Sequence, residues 1–173
     1  MSSASGVDVS LTLAGSSVTL TARPLPLGFH RRLLQRGFVP PAVPREVVRD
    51  SRGVALRDER GLAVLREQPQ DAAYLVAQAR YEERVAAVMI DEAIGDERLR
   101  PADAQPASDD DAAAWQTYAD ALLDAMTAQG LTAGDFARLC RAVGKASGLV
   151  EARHEAETDR LFSAAAAAAP KVG

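Results

Sequence analysis

From Val7 to Leu13 apolar and polar residues alternate, with Val7, Val9, Leu11 and Leu13 on one side and Asp8, Ser10 and Thr12 on the other. Successive side chains of a strand point to opposite faces, so this spacing predicts a half-buried strand. Ala14-Gly15-Ser16-Ser17 supplies a turn, with Gly15 free to take positive φ. Val18, Leu20 and Ala22 then alternate with Thr19, Thr21 and Arg23, which predicts a second strand with one apolar face. Pro24 and Pro26 end ladder pairing, and the residues from Leu27 to Arg36 read as a short basic helix. Two strands alone are marginal in water, so the hairpin is expected to pack on helices, on further strands or on another copy of the chain.

After Pro40, Pro41 and Pro44, which mark an extended connector, the chain repeats itself. Arg49-Asp50-Ser51-Arg52-Gly53-Val54-Ala55-Leu56 is echoed by Arg57-Asp58-Glu59-Arg60-Gly61-Leu62-Ala63-Val64. Asp at the first corner and Gly at the fourth suit a turn, so Asp50–Gly53 and Asp58–Gly61 are expected turns in an exposed hairpin-like excursion. Two copies are too few for a solenoid, and the arginines oppose a cation-binding array.

Helical spacing takes over at Asp71 and runs to about Ile94, with Tyr74, Ala77, Tyr81, Val85 and Val88 as the expected core stripe and Gly95 as the stop. Residues 95–110 are polar and contain Pro101 and Pro106, which reads as a linker. The Asp109-Asp110-Asp111 run sits where a helix start favours carboxylates. Trp115, Tyr118, Ala119, Leu122, Leu123 and Met126 form the next stripe, closed by Gly130. Thr132 and Asp135 form a capping box for a third helix, whose inner face is Phe136, Leu139, Cys140, Val143 and Ser147. Trp115, Leu122 and Met126 are expected to share one core with Phe136, Leu139 and Val143. A last, weakly amphipathic helix is expected from Val150 to about Ala169, with Val150, His154 and Leu161 inward. The fold class is therefore α+β and mostly helical: an N-terminal β-hairpin, a second short β excursion, then a small helical bundle. The chain divides at about residue 66, with residues 67–173 as the helical part.

The charges refine this picture. The 173 residues carry 20 Lys and Arg against 24 Asp and Glu, so no global basic character favours nucleic acid. From Arg23 to Arg60 there are nine Arg against four acids, whereas from Glu67 to Asp111 there are twelve acids against four Arg. These opposite thirds can neutralise each other within the chain, between copies, or with a charged partner. The N-terminal segment Met1 to Gly6 has no cationic and apolar run, and no stretch approaches a membrane span, which points to the cytoplasm.

Candidate chemistry is thin. Nucleophilic catalysis needs a base beside the nucleophile, and His30 and His154 are the only histidines. Cys140, the only cysteine, fits a small buried apolar residue. Glu151-Ala152-Arg153-His154 has the Glu-x-x-His spacing of di-iron bundles, but such a site needs the motif twice. The helix pair around Gly148 balances its basic residues with acids, unlike a DNA-recognition pair. No enzymatic activity, metal or cofactor is expected. The expected partner-binding residues are Arg31, Arg32 and Arg36 of the basic helix and Leu11 and Leu20 of the hairpin.

Two stretches resemble phage tail assembly chaperones. One is the hairpin running into Arg23-Pro24-Leu25-Pro26-Leu27-Gly28; the other extends from Leu131-Thr132-Ala133-Gly134-Asp135-Phe136 to Ser147-Gly148-Leu149. The octads before Asp71-Ala72-Ala73-Tyr74 are also similar to segments of such proteins. The resemblance implies a non-enzymatic chaperone in the host cytoplasm that coats the tape measure protein and recruits tail tube subunits, with a homo-oligomer among the options. Two further readings are a structural or completion protein of a phage particle or injection machine, and a small nucleic-acid-binding regulator using the Arg23–Arg60 segment.

Overall fold

The alternation at the N-terminus folds as read. In a computed structural model, which describes residues 6–102 and 105–149, strands β1 (Val7–Leu13) and β2 (Ser16–Ala22) pair antiparallel, with Leu13 opposite Ser16 and Val7 opposite Ala22. The turn is tighter than the four small residues suggested. Only Ala14 and Gly15 lie outside the strands, both at positive φ (46° and 80°), the geometry of a two-residue turn that matches strand twist. The Ala14 amide donates to the Gln129 carbonyl at 2.9 Å, tying this turn to the helical part. Leu11, Leu13, Leu20 and Ala22 are buried, while Ser10, Thr12, Thr19 and Thr21 face water.

Helix α1 (Phe29–Gln35) starts from Gly28, whose φ of 84° suits a residue without a side chain. The connector then reaches β3 (Arg45–Val47), which pairs antiparallel with β4 (Leu65–Glu67). Helix α2 (Ala72–Ile94) is capped by the Asp71 carboxylate at its start and by left-handed Gly95 at its end. Helices α3 (Ala112–Ala128) and α4 (Ala133–Ala146) complete the described elements, with Asp111 capping α3 and Thr132 and Asp135 forming the capping box of α4.

Two apolar clusters hold these elements together, and their division departs from the single shared core expected. In one, the inner face of β1 and β2 packs against Ile90, Ala93 and Ile94 of α2, Met126 of α3, and Leu139, Ala142 and Val143 of α4. In the other, Phe29, Leu33 and Phe38 pack against Ala87 and Val88 of α2 and against Trp115, Tyr118, Ala119 and Leu122 of α3. Met126 thus joins Leu139 and Val143, whereas Trp115 and Leu122 face α1. The reason is geometric: the first turns of α3 pack with α1 and its end packs with α4 and the hairpin, so its stripe is divided along its length.

The α2 stripe is also shorter than its spacing suggests. Val88 is buried, but Ala77 is exposed and Tyr74 only half covered, because the first turns of α2 lie beyond both clusters. Residues 95–102 depart from the linker reading. Glu97–Leu99 form a 3-10 turn, Leu99 is buried, and Arg100 Nε donates to the buried Asp91 carboxylate at 2.5 Å. The helix expected from Val150 to Ala169, with His154, lies outside the described residues.

Candidate functional site

Leu11 and Leu20, expected at a partner surface, are only 3% and 2% exposed, in the first cluster. Their apolarity serves the fold, and the outward face of the hairpin carries Ser10, Thr12, Thr19 and Thr21 instead. The basic helix is likewise drawn inward. Arg32 donates to Glu92 of α2 at 2.9 Å, and Arg36 Nε donates to Asp109 at 2.8 Å. The Arg36 guanidinium is buried and stacked on Trp115, 3.8 Å from the ring centroid. Arg31 alone of the three is exposed. The basic and acidic thirds of the sequence therefore meet inside the fold at α1, α2 and the start of α3.

Other polar groups near the core are also engaged. Tyr118 donates its hydroxyl to Asp91 at 3.1 Å, and burial, reinforced by the Asp91 charge, pushes the phenol up to about 12. Arg84 of α2 grips Asp120 of α3 through two hydrogen bonds of 2.6 Å, which hold that carboxyl below its usual range. Burial pushes the Cys140 thiol up, away from the thiolate a nucleophile requires. His30 is exposed on α1, and the Glu151–His154 motif lies outside the described residues. Among the described residues, no group of three His, Cys, Asp or Glu is placed to hold a metal ion, and no helix is long and apolar enough to cross a membrane.

The surface left unspent is the repeat segment. Asp50 and Asp58 each accept a turn hydrogen bond at the main-chain oxygen, from Gly53 at 3.0 Å and from Gly61 at 2.9 Å. Each also accepts two more at the carboxylate, from Arg52 and Val54 or from Arg60 and Leu62. Gly53 and Gly61 take φ of 80° and 78°, so each octad makes a type I turn closed by a left-handed glycine. Arg49 and Arg57 each donate to the carbonyl of their own glycine. The result is two equivalent leaves, closed by the Arg49–Ala55 and Arg57–Ala63 bridges.

The leaves and the β3–β4 stem meet at a three-way junction. Leu56 donates to Val48, Val64 to Leu56 and Val48 to Val64, each at 2.9 Å, closing a ring of main-chain hydrogen bonds. The three ring residues are eight positions apart, the repeat length. This two-leaved arm contributes nothing to either core cluster, and no residue from Arg49 to Glu67 is buried. Val54 and Leu62, at equivalent positions in the two leaves, are 62% and 63% exposed, and Leu56, Val64 and Leu65 are exposed with them. Leu75 and Val76 at the start of α2 are exposed as well.

No family model, curated protein or solved structure matches the chain. The sequence signalled the turns of the arm through the Asp and Gly of each octad. It did not signal the junction, because the ring forms between residues that local turn rules do not connect. An apolar recess of about 310 Å3, lined by Leu123, Met126, Leu131 and Phe136, opens between α3 and α4. It adjoins the first cluster through Met126, Leu131 and Phe136, and Glu83 and Thr132 also line it.

Proposed function

We propose that this chain is a non-enzymatic phage tail assembly chaperone that holds its client, the tape measure protein, through the two-leaved arm. The observation that carries the reading is the exposure of aliphatic side chains on a β element that buries none of its own. An element of this kind forfeits the free energy of covering Val54, Leu56, Leu62, Val64 and Leu65 unless something else covers them, and contiguous exposed apolar surface marks interaction sites. Support for the client comes from the resemblance of the hairpin step Arg23–Gly28 and of the Leu131–Leu149 helix to tail assembly chaperones. A chaperone for a long client needs contacts that accept many client sequences, and aliphatic side chains do so without a fixed hydrogen-bond code. Recruitment of tail tube subunits would then use a different face, since the arm is occupied by the client.

The test is co-expression. A tape measure protein co-expressed as the client should be recovered in the soluble fraction with the wild-type chain and in the pellet without it. A client equally soluble in both cases would remove the proposal.

A further inference from the structure

We infer that the outer edge of β2 pairs with the same edge of a second copy of this chain, joining two hairpins into one four-stranded antiparallel sheet. The bonds inside the hairpin decide which groups remain for a partner. Leu13 faces Ser16 across a two-residue turn, so Leu11 with Val18 and Val9 with Leu20 exchange the ladder bonds. Asp8, Ser10 and Thr12 on one strand, and Ser17, Thr19 and Thr21 on the other, therefore turn their main-chain groups outward.

The two edges differ. On β1, Arg138 of α4 donates to the Ser10 carbonyl at 3.5 Å, and Asp8 adds a charge; both oppose strand addition. On β2, the edge is closed at its far end by the Arg23 amide, which donates to the Ala93 carbonyl of α2 at 3.0 Å, and by Pro24. Before that point, among the described residues, the amides of Ser17, Thr19 and Thr21 have no acceptor, and all three residues are exposed. Ser16 to Ala22 contains no charged residue, proline or glycine, so nothing in the strand itself protects this edge.

A second copy is the occupant this edge selects. The outward groups are centred on Thr19, so a two-fold arrangement brings Thr19 opposite its own copy and Ser17 opposite Thr21, each pair exchanging two hydrogen bonds. The same register puts Val18 opposite Leu20 on the inner face. Val18 is half-buried at the margin of the first cluster and Leu20 is buried within it, so pairing covers Val18 and makes the clusters of the two copies continuous. A foreign strand is selected through side chains, and the outward ones here are small hydroxyls that offer neither a pocket nor a charge. With one edge open and the other guarded, pairing stops at two copies. Failure of the chaperone reading would leave this interface untouched.

The test is sedimentation equilibrium of the full chain, with Thr19 as the probe because its own copy stands opposite. The wild type should form dimers at about 100 μM, a range suited to an interface smaller than the roughly 1,200 Å2 of stable complexes. Thr19→Lys and Thr19→Asp each set like charges face to face and should weaken self-association at least about tenfold. Mixing the two variants should restore association as a one-to-one heterodimer. Thr19 is exposed and its amide takes no part in the hairpin ladder, so both variants should melt close to the wild type, which separates lost pairing from lost folding. Thr12→Lys, on β1, should leave the dimer intact. Amide exchange at Ser17, Thr19 and Thr21 should slow as the chain is concentrated. A chain monomeric at about 100 μM, assemblies larger than a dimer, a dimer indifferent to Thr19→Lys, or a mixture of variants that stays monomeric would each overturn the inference. So would protection of the three amides that ignores concentration, since the edge would then be covered within one chain.

Discussion

The guanidinium of Arg36 lies over the indole of Trp115, 3.8 Å from the ring centroid, and thereby fixes α1 to α3. The same side chain donates to Asp109 just before α3 and approaches Glu92 of α2 at 3.8 Å, so it joins three parts of the fold. A cation buried against an aromatic ring is worth about 2 kcal/mol. Arg36→Ala should therefore lower unfolding free energy by about 2 kcal/mol or more in urea titrations, because Asp109 and Glu92 also lose their partner. Arg31→Ala, on the exposed side of the same helix, should change stability by less than about 0.5 kcal/mol. Equal effects would mean that α1 is not anchored through Arg36.

The hairpin is divided just as sharply between its faces. Leu20→Ala empties a site in the first cluster and should cost about 2–5 kcal/mol, whereas Thr19→Ala on the outer face should cost less than about 0.5 kcal/mol. Chemical denaturation of the two variants checks this. A Leu20 variant as stable as wild type would mean that the inner face is not packed on α2 and α4.

Trp115 is 1% exposed, with its indole N–H donating to the Ser108 carbonyl at 2.9 Å. Its fluorescence should be blue-shifted and poorly quenched by iodide in the native state. Emission at the wavelength of the urea-unfolded chain would contradict the second cluster.

The α4 cap is sensitive to pH. Hydrogen bonds from the Thr132 hydroxyl and amide, aided by Arg138, hold the Asp135 carboxyl down at about 2, against 3.8 ordinarily. A depressed folded value means that the cap stabilises the fold above the ordinary carboxylate range and that this contribution fades as pH falls from 3.8 toward 2. Carboxyl NMR should find the Asp135 midpoint near about 2 in the wild type and higher in Thr132→Ala. At neutral pH that variant should also lose about 1 kcal/mol. An unmoved midpoint would assign the depression to Arg138 instead.

What the sequence made legible was whatever depends on neighbours in the chain. Alternation fixed the hairpin and its inner face, Asp71 and Gly95 bounded α2, and Thr132 with Asp135 marked α4. What depended on distant partners was hidden. The basic stretch around Arg32 and Arg36 looks like a free cationic surface until Glu92 and Asp109 are brought against it. Likewise, a single stripe on α3 gives no sign that Trp115 and Met126 serve different clusters. The octads showed their turns, but the ring of Val48, Leu56 and Val64 and the exposure of Val54 and Leu62 emerge only in three dimensions.

Amide hydrogen exchange of the chain mixed with its proposed client, a tape measure protein, tests the proposed docking role of the arm most directly. Protection on binding should rise across residues 48–64 of the exposed arm and should change little in β1 and β2. Protection gained instead along the hairpin edges or at the recess between α3 and α4, with residues 48–64 exchanging as in the free chain, would contradict the account.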